Sequence, residues 1–443
     1  MTRDQLKARI LEAIDRRAPE IIAIGERIRK NPELGFKEVK TARLVEETMR
    51  GLGLSPRTGL AFTGVRADVS GAQGPGPTFA VLGELDGLRV PGHPDADPET
   101  GAAHACGHNA QVAAMLGAAM GLLDAKAFEH LAGRATFFAV PAEEGGDLEW
   151  RVSQVKVGRL ELLGGKAELL RLGHFDDVDL AMMIHLTPRA EDGKASVPLS
   201  NNGRVGKLAR YIGRAAHAGG APHLGINALY AANIGLMAIN ALRETFRDED
   251  TIRVHPILTA GGSQVNVIPA EARIETYVRG RTLPAIIEAN TKVDRALRAG
   301  ALALGATVEI ETFPGYLPLD CDPTMARYFR DSAVALWGES NVIELGHRTG
   351  STDMGDLSQV IPCLHPYMGG ASGHGHAVDY RIADPDLAYV GQAKALAGMV
   401  VDMLADGAAG AHEVLGKAKR PLTRAGYLDL QRGMARREVY EGQ

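Results

Sequence analysis

The residues able to do chemistry fall in a few short runs. One is His104-Ala105-Cys106-Gly107-His108-Asn109. A Cys and a His two apart can point the same way from an extended loop, as metal ligands do. Alone, the pair also fits a buried free thiol beside an unrelated imidazole. A Cys–His protease dyad fits poorly, because residues two apart rarely set a thiol against its base and no protease motif surrounds them. A second run, Phe138-Ala139-Val140-Pro141-Ala142-Glu143-Glu144-Gly145-Gly146, takes an apolar strand straight into two carboxylates. Neighbouring side chains diverge, so one can hold metal while the other is a general base. Two solvated loop carboxylates are the ordinary alternative. His185 ends the apolar run Met182-Met183-Ile184, where a satisfied core histidine is the plain reading. His374 and His376 share a Gly-rich loop that runs on to Asp379 and Tyr380, and Glu84-Leu85-Asp86 closes another strand-like run.

These runs need elements to position them. Strand-like Thr78–Leu82, Arg134–Val140 and Leu180–His185 alternate with a helical stretch over 111–123, which argues for a mixed α/β sheet. Ligands bind beyond the carboxyl ends of such strands, and candidate ligands recur there. That convergence, with a carboxylate pair in it, points to a metal-assisted hydrolase. From about 204 the order becomes strand 206–213, helix 227–245, strands 251–259 and 271–280, helix 285–304 and strand 307–312. This β-α-β-β-α-β order is the ferredoxin-like unit, inserted between two parts of the larger region. The expected division is a catalytic domain in 1–203 and 315–409, a lid or dimerisation domain in 204–314, and a helical tail in 410–443.

Composition narrows the class. Forty-nine Lys plus Arg against 54 Asp plus Glu leave a net charge of −5, with no basic footprint for nucleic acid. Three Cys rule out a disulfide scaffold and suit a reducing, cytoplasmic setting. The segment 1–40 is laced with charge, with apolar residues at helical spacing (Leu6, Ile10, Ile14, then Ile21, Ile24, Ile28), and reads as a surface helix or helix pair rather than a leader. No run of 18 apolar residues suggests a membrane span.

Taken together, Glu84-Leu85-Asp86-Gly87-Leu88, Ala103–His108 and Pro141–Gly146 resemble the aminoacylase and metallodipeptidase family. The nearer likeness is to its auxin-conjugate, aminobenzoyl-glutamate and β-alanyl-dipeptide hydrolases. Asn31–Phe36, Gly213–Ala218, Gly225–Ala228 and Gly262–Pro269 extend the likeness in the family's order over roughly residues 5 to 405. Gly350–Asp356 tilts it away from the auxin enzymes.

The resemblance implies a mixed-sheet dinuclear metallohydrolase domain binding two divalent ions, Mn²⁺ or Zn²⁺. It implies Cys106, His108, Glu144, His185 and His376 as ligands, Glu143 as general base and Asp86 as a supporting carboxylate. His217 would stabilise an oxyanion across a homodimer interface, and Asn266 and Arg279 would hold the substrate's carboxylate. The implied reaction is hydrolysis of an N-acyl or N-aroyl amino acid or dipeptide-like amide by an activated water. The rival is a degenerate relative that binds a peptide-like ligand without turnover. Asn31 and Asn109 depart from the His and Asp common in the family, and His376 is preferred to His374 because His-Ala-Val-Asp-Tyr fits the family pattern.

Overall fold

The computed structural model describes residues 1–419 and 421–442. The chain divides into two compact units. The first comprises Met1–Ser200, Asp320–Arg348 and Asp356–Arg424. The second comprises Asn201–Leu319, Thr349–Gly355 and the segment from Ala425 onward.

The first unit is built on a six-stranded sheet in the order Arg57–Leu60, Gly64–Ser70, Arg134–Val140, Thr78–Glu84, Leu180–Met182, Cys363–Leu364. Gly64–Ser70 is antiparallel to both its neighbours, and the four strands from Arg134–Val140 onward run parallel to one another. Thr78–Glu84 is buried at every position, as its unbroken apolar run requires of a strand covered on both faces.

The helix His108–Asp124 packs against this sheet and against the helix Arg3–Arg29. Small residues permit the close approach: a Cβ on Gly117 would lie 2.8 Å from Ile21 Cδ1 and 2.9 Å from Ala393 Cβ. The expected helix or helix pair near the N-terminus is one helix, opened by a Thr2–Gln5 capping box and continuous through Pro19. Its buried face is the isoleucine stripe read from the sequence. The helical stretch Asp386–Lys417 is long and apolar enough to cross a membrane by length and composition alone, but 83% of its most apolar window is buried in the protein. It opens with a turn of π-helix and kinks at 405–408.

The second unit follows the β-α-β-β-α-β order: Gly203–Ile212, Ala228–Ala241, Arg253–Val254 with Ile257–Ala260, Glu271–Gly280, Leu283–Leu304, Thr307–Phe313. Its antiparallel sheet runs Arg253–Val254, Glu271–Gly280, Gly203–Ile212, Thr307–Phe313. Every second residue of Glu271–Gly280 is buried, so one face is covered. The two helices supply that cover, sharing a core with Tyr211, Ile274, Val278, Val293 and Leu297.

The expected helical tail over 410–443 needs correction. Its first residues finish the helix ending at Lys417, Arg424–Met434 is helical, and Arg436–Glu441 is a sixth strand of the sheet, antiparallel to Thr307–Phe313. Charge conceals the strand in the sequence and holds it in the fold. Arg437 lies 3.5 Å from Glu311, and Glu438 pairs with Arg298 at 2.7 Å. Tyr427 is fully buried and Tyr440 packs against the unit's core.

A chain ending at Ala418 loses that cover and exposes the edge of Thr307–Phe313. Urea unfolding should show a loss of a few kcal/mol, about that of removing a buried aromatic, and size-exclusion should show self-association through the bare edge. An unchanged midpoint and elution would mean that the strand contributes nothing.

Candidate metal centre

Three parallel neighbours end side by side: Arg134–Val140, Thr78–Glu84 and Leu180–Met182. Beyond their carboxyl ends lie Glu143 and Glu144, Asp86, and His185. The helix His108–Asp124 starts in the same place. Its N-cap, Gly107, has φ +89°, and a Cβ there would stand 2.9 Å from Leu186 Cβ, so the turn demands glycine. The turn sets Cys106 and His108 on either side of it. His376, at φ +63°, is tied in by its N–H to the Ala105 carbonyl at 2.8 Å.

The donors converge. Cys106 Sγ is 3.3 Å from His185 Nε2, and His376 Nε2 is 3.4 Å from Glu144 Oε1. Potential ligand atoms of Cys106, His108 and His185 lie within 4.8 Å of one another, as do those of Cys106, Glu144 and His376. Thus Cys106 belongs to both groups. Hydrogen bonds fix the ring tautomers. His185 Nδ1 faces the Leu186 carbonyl at 2.6 Å, and His108 Nδ1 faces the Asp86 carbonyl at 2.9 Å and its Oδ1 at 3.2 Å. A ring nitrogen against a carbonyl carries the hydrogen, which leaves each Nε2 lone pair for a metal. Asp86, fully buried, also accepts the Glu144 N–H at 2.9 Å. It therefore steadies one member of each group.

A divalent cation fits this donor set. His108 Nε2 and Glu144 Oε1 are buried without a hydrogen-bond partner among the described residues, a state that a coordinated ion relieves. Packing around Cys106, then the charge of Glu144, pushes its thiol well above the ordinary range. A nearby cation is what makes such a thiol a thiolate. Burial, then the charge of His108, pulls His185 down to about 4, so it stays the neutral imidazole, the form able to bind metal.

Of the remaining expected site residues, His374 is turned outward and pairs with Asp379 at 2.8 Å, with its side chain 83% exposed. His217, Asn266 and Arg279 lie in the second unit. The antiparallel pairing of Gly203–Ile212 with Glu271–Gly280 continues outward: Ile268 N–H meets the Ala216 carbonyl at 3.0 Å, and Ala218 N–H meets the Asn266 carbonyl at 3.0 Å. This brings His217 and Asn266 together at one end of the sheet. Arg279 pairs with Arg204 at the other.

Several contributors are absent from the sequence reading. Buried Lys166 pairs with Glu84 at 2.5 Å. His365 is buried with its ring 5.8 Å from that of His185. Fully buried Glu38 accepts the Ala142 N–H at 2.8 Å and the Thr63 hydroxyl at 2.6 Å. It thus grips the residue before Glu143, which has φ +54°. The only signal for Lys166 was an acid at the end of a buried strand, which demands a cation. Asn109 donates to Tyr389 Oη at 3.0 Å and to the Gly25 carbonyl at 3.3 Å. An aspartate there could not donate, so this departure from the family serves helix packing.

Comparison with known proteins agrees with the geometry. Residues 80–400 match the model of peptidase family M20/M25/M40. The chain belongs to this family and is a hydrolase of it. Xaa-Arg dipeptidase of Mus musculus is 30% identical over 378 residues, 82% of this chain and 79% of the relative. IAA-amino acid hydrolase ILR1-like 4 of Arabidopsis thaliana is 26% identical over 79% of this chain and 77% of its own. Among solved structures, a dinuclear metal binding peptidase of Bacillus subtilis has the same fold, with TM-score 0.63, 21% identity and coverage of 87% of this chain and 98% of its own. The aminobenzoyl-glutamate utilization protein of Klebsiella pneumoniae superposes with TM-score 0.66 and 20% identity, over 88% and 98%.

Glu38 generates a pH prediction. Burial, then the charge of Asp86, raises its carboxyl from 4.5 to about 7. A raised carboxyl favours the fold below its unfolded pKa, and that contribution is lost as pH climbs through the folded one. Metal-stripped protein should therefore lose up to roughly 3 kcal/mol between those two values, and Glu38→Gln should flatten the slope. Parallel stability–pH curves for both proteins in urea would exclude this.

Proposed function

We propose that the protein is a metal-dependent amidohydrolase for N-acyl or N-aroyl amino acids or dipeptide-like amides, using two Mn²⁺ or Zn²⁺ ions. The observation that carries this reading is the placing of Glu143 beside the donor cluster, with a carboxylate oxygen within 4.8 Å of ligand atoms of His108 and Glu84. Cys106, His108, Glu144, His185 and His376 would hold the ions, and Asp86 would orient His108 and Glu144. Bound divalent ions lower the pKa of a water and polarise an amide carbonyl. Glu143 takes the proton from that water and passes it to the leaving nitrogen. The substrate class follows the relatives, whose names specify a dipeptide and an amino-acid conjugate. The three free thiols suit a reducing, cytoplasmic setting.

The second unit serves, in this reading, as a ferredoxin-like lid and dimerisation domain. His217 Nδ1 accepts the N–H groups of Gly219 at 3.1 Å and Gly220 at 2.9 Å. The ring's hydrogen then resides on Nε2, a neutral donor suited to an oxyanion. Asn266 lies beyond one end of the strand Glu271–Gly280 and Arg279 near its other end, which at about 3.3 Å per residue sets them roughly 25–30 Å apart. One substrate carboxylate held by both must therefore meet Asn266 from one subunit and Arg279 from the other. A homodimer would also cover the free edge Ile257–Ala260, exposed along its length, in a unit that leaves Tyr230, Met237 and Val265 bare.

Chelation should abolish release of free amine from a panel of N-acyl amino acids, and Mn²⁺ or Zn²⁺ should restore it. Glu143→Gln should keep its metal and lose about 10²–10⁴-fold in turnover, whereas Glu144→Gln should lose metal. Exchanged phenotypes would reverse the two roles; full turnover by protein proven metal-free by elemental analysis would end the metal reading.

Mixing inactive His217→Ala with inactive Glu143→Gln should restore part of the activity, since one site of each heterodimer then has both residues. No recovery in heterodimers verified by mass would confine His217 to its own subunit or to no role.

A further inference from the structure

We propose that Glu84 is a further ligand of the ion held by His108, an inference that rests on the metal-dependent reading above. Glu84 ends the buried strand Thr78–Glu84 and is itself fully buried. Its Oε2 is 3.0 Å from His108 Nε2. That distance suits a hydrogen bond, yet Nε2 has no hydrogen-bond partner among the described residues. The carboxylate oxygen therefore stands to the side of the ring's Nε2 axis rather than along it.

The tautomer sharpens the point. His108 Nδ1 gives its hydrogen to the Asp86 carbonyl at 2.9 Å, so in the neutral ring Nε2 is a lone pair. A lone pair and a carboxylate oxygen 3.0 Å apart and away from water need a positive charge against both, and a divalent ion held between them supplies it. Two donors each about 2.1 Å from one ion, at right angles across it, stand about 3.0 Å apart. The imidazole is 1% exposed, so no solvent competes for that position.

The rest of the pocket holds Glu84 ionised and in place. Lys166 Nζ binds Oε1 at 2.5 Å, Gln111 Nε2 donates to Oε2 at 2.9 Å, and Gln111 Oε1 accepts the Glu84 N–H at 3.1 Å. A carboxylate oxygen has lone pairs for both an amide and an ion. Lys166, fully buried, balances the charge that the extra carboxylate brings. The added oxygen makes the ion site at His108 harder than Cys106, His108 and His185 alone would make it.

The test uses the full chain loaded with Mn²⁺. Anomalous scattering should place an ion within about 2.5 Å of both His108 Nε2 and Glu84 Oε2. Glu84→Gln combined with Lys166→Met removes the ligand without stranding a buried lysine. By circular dichroism it should stay folded, and by metal titration keep one tight ion and bind the other at least about 100-fold more weakly. Glu84→Asp, which keeps the charge beside Lys166 but shortens the reach, should weaken the same ion. An ion on His108 with Glu84 Oε2 beyond about 3.5 Å, or variants that hold both ions as tightly as the parent, would overturn the assignment and leave the hydrolase reading intact. A parent chain that binds no ion would overturn both.

Discussion

Electron-rich groups crowded at the carboxyl ends of three buried parallel strands are the constraint from which the first unit is built. A thiol, imidazoles and carboxylates stand within a few ångströms of one another, with two of their donor atoms buried and without a hydrogen-bond partner among the described residues. Such a cluster is tolerable only if cations neutralise it. Everything near it serves to keep the donors in position. Asp86 binds His108 and the Glu144 backbone, Glu38 grips the turn before Glu143, and Gly107 lets the helix of His108 start against Leu186. The close glycine contacts of Gly117 with Ile21 and Ala393 then lock that helix to the core. Sites carried on rigid elements hold their geometry better than sites on free loops.

The second unit meets a different problem. Its sheet has a helical face and two edges, and an exposed edge invites uncontrolled pairing. The chain closes one edge itself with Arg436–Glu441, while Ile257–Ala260 is left for another surface. Self-closure of one edge turns open-ended stacking into a contact that can end at two copies. The long strand Glu271–Gly280 also separates Asn266 from Arg279, which gives the proposed subunit pairing a chemical reason as well as a packing one.

Much of this was legible in the sequence because the signals were strong and local. The apolar runs Thr78–Leu82 and Arg134–Val140 are strands, and the ligand motifs lie just past strand ends. The alternation in Glu271–Gly280 and the helical periods flanking it outlined the second unit. What stayed hidden depended on distant partners. Lys166 looks like a surface lysine until Glu84, far away in sequence, is placed against it. Glu38 sits in a charged stretch, and only the fold reveals that it is buried beneath Ala142. The final strand carries alternating charges rather than apolar residues, because its partners are Glu311 and Arg298. His374 and His376 differ by orientation, and a positive φ at His376 turns the loop toward Ala105.

In the proposed centre Cys106 is a metal-held thiolate shared by the two groups of donors. The most direct measurement is the rate at which Cys106 is alkylated, followed by peptide mass, in metal-loaded and metal-stripped protein. The account predicts protection of Cys106 in the loaded form and labelling after chelation, while buried Cys321 and Cys363 stay unlabelled in both. Equal labelling of Cys106 in both forms would contradict it and reduce the residue to a structural thiol.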